Sequence, residues 1–232
     1  MIYTREHLEQ IADGVNKQYF PDRLVTPSAL DAYDLLEAIG CDYEWKYTSP
    51  NDSIMGLTFF GDGYWYIWPR GTYSEGEIPT AELFRKGTVV INQRLLDSKK
   101  KEATGSERFV VAHEAAHWLK DKEFFESHPD SITHTCFQED VGKTYWNTNM
   151  TELEIIERQA NYLGAALLMP RDIIIESFFK AGRYKHIPNG TLEFKPYMRE
   201  WVAKTAKIYG VNYNPVKYRL KDLGVICDPI EN

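Results

Sequence analysis

The residues best able to do chemistry are His113, Glu114 and His117, in the run His113-Glu114-Ala115-Ala116-His117. On an α-helix, residues four apart are offset by about 40° and sit one turn above each other, so both imidazoles can reach a single ion. Glu114 lies beside the first histidine, where it can reach the ion's bound water without ligating the ion, the position a general base needs. The run is preceded by Phe109-Val110-Val111-Ala112 and followed by Trp118-Leu119, so its helix belongs inside the protein. Buried imidazoles need partners, and one metal ion satisfies both; a pair of hydrogen-bonded core histidines is the competing reading.

Zinc in catalytic sites takes three protein ligands and leaves a fourth position for water, so a third ligand must come from elsewhere. Glu157 is the candidate. It lies on a helix whose apolar stripe is Leu153, Ile156, Ala160, Leu163 and Leu167, in a row with Asn161 and Gly164 immediately beside that stripe. A carboxylate bordering a buried face is costly unless paired, and Ala160, Gly164 and Ala165 are small enough to admit a second helix. The alternative is a salt bridge to Arg158 or Lys120. Glu154 is the nearest rival ligand, but a capping box gives it another task. Asn161 can hold a ligating side chain by a hydrogen bond. His134 and Cys136 are metal ligands by residue type, yet a lone His-x-Cys pair is weak, and they are read as structural.

The elements that must position these residues follow from the pattern of apolar, capping and turn residues. Thr4 to Phe20 reads as an amphipathic helix, and Thr26-Pro27 starts a second one that Gly40 stops. From Cys41 to Ile91, short runs (Tyr43 to Tyr47, Gly56 to Phe60, Tyr64 to Trp68, Thr88 to Ile91) read as a small, mainly antiparallel sheet, with Gly61-Asp62-Gly63 as a hairpin turn. The aromatic run Tyr64 to Trp68 reads as packing rather than a ligand-stacking surface. Ser106 caps a helix from Glu107 to about Lys120, and an irregular stretch, Asp121 to Met150, follows. Thr151-Glu152-Leu153-Glu154 is a capping box that opens a helix ending near Met169-Pro170. Helices at Arg171 to Ala181, Tyr197 to Tyr209 and Pro215 to Leu223 each end on a glycine. The expected fold class is α+β: a small sheet packed on a zincin-like helical core at 1–185, with a helix-turn-helix-like segment at 186–232.

With 43% hydrophobic and 26% charged residues, the 232-residue chain is an ordinary globular sequence long enough to bury a core. A net charge of −7 argues against a phosphate-coating surface, so direct binding to nucleic acid is not expected. The N-terminal residues lack a signal-type apolar segment, and no run approaches the roughly 20 residues that span a bilayer, so no membrane partner is expected. Three widely spaced cysteines, Cys41, Cys136 and Cys227, form no disulfide framework and suit a reducing cytoplasm.

The stretch Arg108 to His117, together with Glu157-Arg158-Gln159-Ala160-Asn161 and its continuation to Leu167-Leu168-Met169-Pro170, resembles the ImmA/IrrE family of metallo-endopeptidases. Pro27 to Ile39 and Gly87 to Asn92 are similar to further family segments, as is Lys204 to Ile226, so the likeness spans most of residues 20–225. The resemblance implies that His113, His117 and Glu157 bind zinc and that Glu114 is the catalytic base. It also implies a substrate among repressor-like transcription regulators, in mobile elements or stress responses. Two departures stand out: Ala116 replaces the glycine usual before the second histidine, and the segment 121–150 is longer than usual.

The expected reaction is therefore zinc-assisted hydrolysis of a peptide bond. Tyr145, Tyr184 and His186 are oxyanion donors by type, and nothing in the sequence selects one. Lys217, Arg219 and Lys221 give the C-terminal helices some positive charge, but a structural or substrate-docking role is favoured over DNA binding. The rival function is a non-catalytic zinc-binding regulator or sensor that docks to a transcription regulator.

Overall fold

The structure, a computed structural model, describes residues 2–69, 76–97, 101–128, 132–139 and 150–229. Its centre is α4 (Lys101–Glu126), a helix on which Phe109 to His117 are each at most 2% exposed. A helix buried on every side must be covered by other elements. On one side lies a four-stranded sheet in the order β1 (Asp42–Lys46), β5 (Thr88–Asn92), β2 (Ile54–Phe59), β6 (Thr133–Phe137). β1 runs parallel to β5, whereas β5–β2 and β2–β6 are antiparallel, so the sheet is mainly antiparallel and the fold is α+β. β5 is the central strand, and all five of its residues are buried, which explains its unbroken apolar run.

α5 (Glu152–Leu168) packs along α4. A Cβ at Gly164 would stand 3.1 Å from the backbone carbonyl of Ala112 and the backbone nitrogen of His113, so the small residue lets the two helices approach. The capping box that opens α5 is formed: the Glu154 N–H donates to the Thr151 hydroxyl at 3.2 Å, and the Thr151 N–H donates to Glu154 at 2.7 Å. At the other end, Arg23, in a 3₁₀ turn (Pro21–Leu24), donates to the carbonyls of Leu167 and Leu168, and Arg219 donates to that of Met169. Two guanidinium groups thus satisfy terminal carbonyls that have no helical partner.

α1 (Arg5–Tyr19) and α8 (Tyr213–Asp222) both lie against α5. They meet in a buried pair in which Arg219 Nη1 and Nη2 donate to the Glu9 carboxylate at 2.5 and 2.8 Å, while the Tyr162 hydroxyl of α5 donates to the same carboxylate at 2.6 Å. α6 (Arg171–Ala181) and α7 (Met198–Tyr209) complete the helical side, and Phe194, Met198 and Val202 share one apolar core with Leu163 and Leu167. Gly210 and Gly224 end α7 and α8 in the left-handed region, φ 61° and 69°.

Several expectations need correction. α2 is Ala32–Ala38, shorter than expected, because Asp31 caps it by accepting the Tyr33 N–H at 2.9 Å, so Thr26-Pro27 precede rather than start it. α4 runs through Gly105 and Ser106 instead of starting after them. A Cβ at Gly105 would meet Asn212 Oδ1 at 2.5 Å, so this glycine serves close packing and not a helix end. Gly61-Asp62-Gly63 does not join a hairpin. Both edges of β2 are taken by β5 and β6, and β3 (Gly63–Ile67) pairs instead with β4 (Thr80–Phe84). Of the aromatic run only one face packs: Trp65 is half-buried and Ile67 buried, whereas Tyr64 and Tyr66 are exposed. Leu153, assigned to the apolar stripe of α5, is 62% exposed.

Candidate metal centre

The two imidazoles of α4 face each other, with His113 Nε2 and His117 Nε2 2.9 Å apart. Their other nitrogens are held. His113 Nδ1 lies 3.0 Å from Asn161 Oδ1, and His117 Nδ1 lies 2.7 Å from an Asp121 carboxylate oxygen. Both of these oxygens only accept hydrogen bonds, so each Nδ1 carries its proton and each Nε2 presents a lone pair. Asp121 is held in turn by Lys120 Nζ at 2.6 Å.

α5 brings Glu157 to the same point. Its Oε2 is 3.4 Å from His113 Nε2, and its Oε1 is 3.4 Å from His117 Nε2. The sheet contributes the rest. His134 on β6 contacts Glu157 Oε1 through its Nε2, and its ring lies 3.8 Å from that of His117 between centroids. The donor atoms of His113, His117, His134 and Glu157 all fall within 4.8 Å of one another. Glu114 turns towards the sheet, where Oε2 accepts from the Thr58 hydroxyl at 2.6 Å. Its Oε1 is buried with no hydrogen-bond partner. Gly56 on β2 makes room for it, since a Cβ there would stand 2.4 Å from that oxygen.

These donors fit a metal ion. Two lone pairs facing each other at 2.9 Å repel unless a positive centre lies between them, and Glu157 Oε2 is buried with no hydrogen-bond partner. Tetrahedral zinc, with bonds of about 2.0–2.1 Å to nitrogen, would space neighbouring donor atoms by about 3.3 Å, close to the separations seen here. The electrostatics agree. Burial opposes charge on His113, yet its interactions with Cys136 and Glu157 lift its pKa well above the ordinary imidazole value. Burial likewise opposes charge on Glu157, but the imidazoles of His113, His117 and His134 around it pull it well below the ordinary carboxylate range. The cluster thus calls for positive charge. Burial raises the pKa of Glu114, and it lowers that of His134 with help from His117.

Set against the sequence reading, the structure brings His113, Glu114, His117 and Glu157 together and puts Asn161 on the first imidazole. Lys120 pairs with Asp121 rather than with Glu157. Asp121 was missed; its spacing of four from His117 was the available signal. His134, read as structural, joins the cluster, because 133–137 is a strand and not an irregular stretch. Cys136, two residues on, is buried and groups with His113 and Glu114. Of the oxyanion candidates, Tyr184 packs against Phe179 and Trp201, His186 is exposed, and Tyr145 lies outside the described residues. On the C-terminal helices, Arg219 is buried against Glu9, and Lys217 and Lys221 pair with Asp228. Among the described residues, no helix is long and apolar enough to cross a membrane.

No curated protein compared with the chain matches it. A family model does: the IrrE N-terminal-like domain, a peptidase family, matches residues 81–221. That span covers more than half of the 232 residues and includes both helices of the cluster. A buried group of histidines and a glutamate able to hold a metal ion lies on this peptidase scaffold, and the chain belongs to the ImmA/IrrE family of metallopeptidases.

Proposed function

We propose that the protein is a zinc-dependent endopeptidase that cuts a peptide bond in a protein substrate. The ImmA/IrrE resemblance points to a repressor-like transcription regulator as that substrate. In this reading His113, His117 and Glu157 hold the metal and Glu114 is the general base. The observation that carries it is the convergence of two Nε2 lone pairs and a buried carboxylate oxygen on one point, beside a second carboxylate oxygen that has no hydrogen bond.

Bound zinc supplies Lewis-acid polarisation of the scissile carbonyl and acidifies a water molecule. The chain's own groups do the rest. Glu114 Oε1 accepts a proton from the attacking water. The Thr58 hydroxyl, hydrogen-bonded to Oε2, fixes the direction in which Oε1 points. Burial raises the Glu114 pKa, which brings it closer to neutrality and suits it to take the proton and then deliver it to the leaving amine. Asn161 and Asp121 fix the tautomer and ring orientation of the two histidines.

Elemental analysis of purified protein, with His113→Ala, Glu157→Ala and Glu114→Gln variants, tests the reading when paired with cleavage of candidate repressor-like regulators. One zinc per chain is expected in wild type and Glu114→Gln, with depletion in the two ligand variants and cleavage by wild type alone. Zinc undiminished in both ligand variants would overturn the ligand set. Cleavage by Glu114→Gln at the wild-type rate would overturn the role of the base.

A further inference from the structure

β6 is an edge strand with its one partner, β2, in the four-stranded sheet, and its pairing aims two side chains at the metal centre. In the β2–β6 register, His134 stands opposite Thr58 and Cys136 opposite Gly56. Those two β2 residues are the ones that hold and accommodate Glu114. Thus one register brings the base's hydrogen-bond donor, the base's clearance and the His134 imidazole to the same place. A slip of one residue would turn His134 to the opposite face. His134 is also on the solvent side of the cluster: it and Glu157 are each 8% exposed, whereas His113, Glu114 and His117 are fully buried. The side of the cluster nearer solvent, beside Glu157, is therefore occupied by a third imidazole.

We propose that His134 is a fourth protein donor to the metal, so that the resting centre is His3Glu and closed, with no open position for water. This rests on the metallopeptidase reading above and deepens it. A hydrolytic zinc site keeps one position open or expands its coordination. Catalysis here then requires either that the imidazole of His134 withdraw as substrate binds, or that the ion accept a fifth neighbour. On the first of these routes the centre is latent at rest because of one residue on the sheet edge.

X-ray absorption of the zinc-loaded full-length protein tests this without relying on activity. Three imidazoles per zinc and no sulfur are expected in wild type, and two imidazoles in His134→Ala. Zinc affinity is expected to fall about tenfold or more in His134→Ala, since one donor is lost. In the cobalt-substituted proteins, relaxation of bulk water protons is expected to be weak in wild type and enhanced in the variant, which gains an exchangeable water. Two imidazoles in both proteins would overturn the proposal. So would a metal–sulfur distance of about 2.3 Å, which would make Cys136 the closing donor. The wild-type spectrum decides the matter even if the variant folds poorly. A wild-type protein that takes up no zinc, or a His113→Ala variant that takes it up undiminished, would overturn the metallopeptidase reading itself, and this proposal with it.

Discussion

Asp121 stands one helical turn beyond His117 and places a carboxylate oxygen 2.7 Å from that histidine's Nδ1, while Lys120 holds the same oxygen at 2.6 Å. Burial opposes charge on Asp121, but Lys120, and then His117, keep its pKa below the ordinary aspartate value. A fixed carboxylate behind an imidazole raises the basicity of the opposite nitrogen. Asp121→Ala is expected to weaken zinc binding by about 10- to 100-fold, the usual cost of losing such a support, without removing any ligand. Competition with a zinc chelator of known affinity measures it, and unchanged affinity would strip Asp121 of this role.

Gly56 faces the Glu114 carboxylate closely enough that any side chain there displaces it. A Cβ would lie 2.4 Å from Glu114 Oε1 and 2.8 Å from Cδ. Gly56→Ala is expected to retain full zinc occupancy but lose about a hundredfold in kcat/KM, the scale of a 1 Å misplacement of a reacting group. Assay of cleavage alongside zinc stoichiometry separates this from a folding defect.

Gly164 plays the corresponding part between the helices. A methyl group there meets the Ala112 carbonyl and the His113 nitrogen at 3.1 Å, and backbone on both sides gives little room for relief. Gly164→Ala is expected to destabilise the protein by about 1–3 kcal/mol through overpacking, and to lower zinc affinity by moving Glu157 relative to α4. Thermal denaturation of the zinc-free and zinc-loaded forms reads both effects. An unchanged melting temperature would mean that the interface yields.

The Glu9–Arg219 pair gives the protein an acid-sensitive joint between α1 and α8. Burial would raise the Glu9 pKa, but Arg219 outweighs it and holds the group below its ordinary value of 4.5. Below that value the unfolded chain binds more protons than the folded one. Stability from this pair is therefore present above about pH 4.5 and is lost as pH falls through the lower, folded-state value. Glu9→Gln should flatten the stability profile in that acid window. Arg219→Leu, which strands a buried carboxylate, should cost about 3–5 kcal/mol at neutral pH. Urea titrations at pH 7 and below 4.5 check both.

The parts of the site carried by helices were legible because a helix repeats every 3.6 residues. His113, Glu114 and His117 announce themselves on an apolar helix, and the Thr151–Glu154 box fixes the register in which Glu157 borders the core. His134 was hidden for a physical reason. A strand is recognised by alternating apolar residues, but the inward positions of Thr133–Phe137 are held by His134 and Cys136, while Phe137 is exposed. The function of the strand erased its own signature. Ser106 misled in the opposite way, since a serine after a polar stretch reads as a cap, whereas the helix runs through it and Gly105 beside it packs against Asn212, more than a hundred residues away. Asp62 likewise marks a turn, but it accepts from the Lys86 N–H at 2.9 Å and from Arg85 at the end of the β3–β4 pair, and does not join β2 to β3 as a hairpin.

The arginines that close the end of α5 come from residues 23 and 219, on either side of it in the chain. Synthesis reaches the second of them well after Glu157. A nascent chain can own both histidines and Glu157 long before the helix carrying that glutamate is fastened at its far end. Chains halted before residue 213 should show α5 open to added protease, and the cluster around His113 should mature only after residue 219 has emerged from the ribosome.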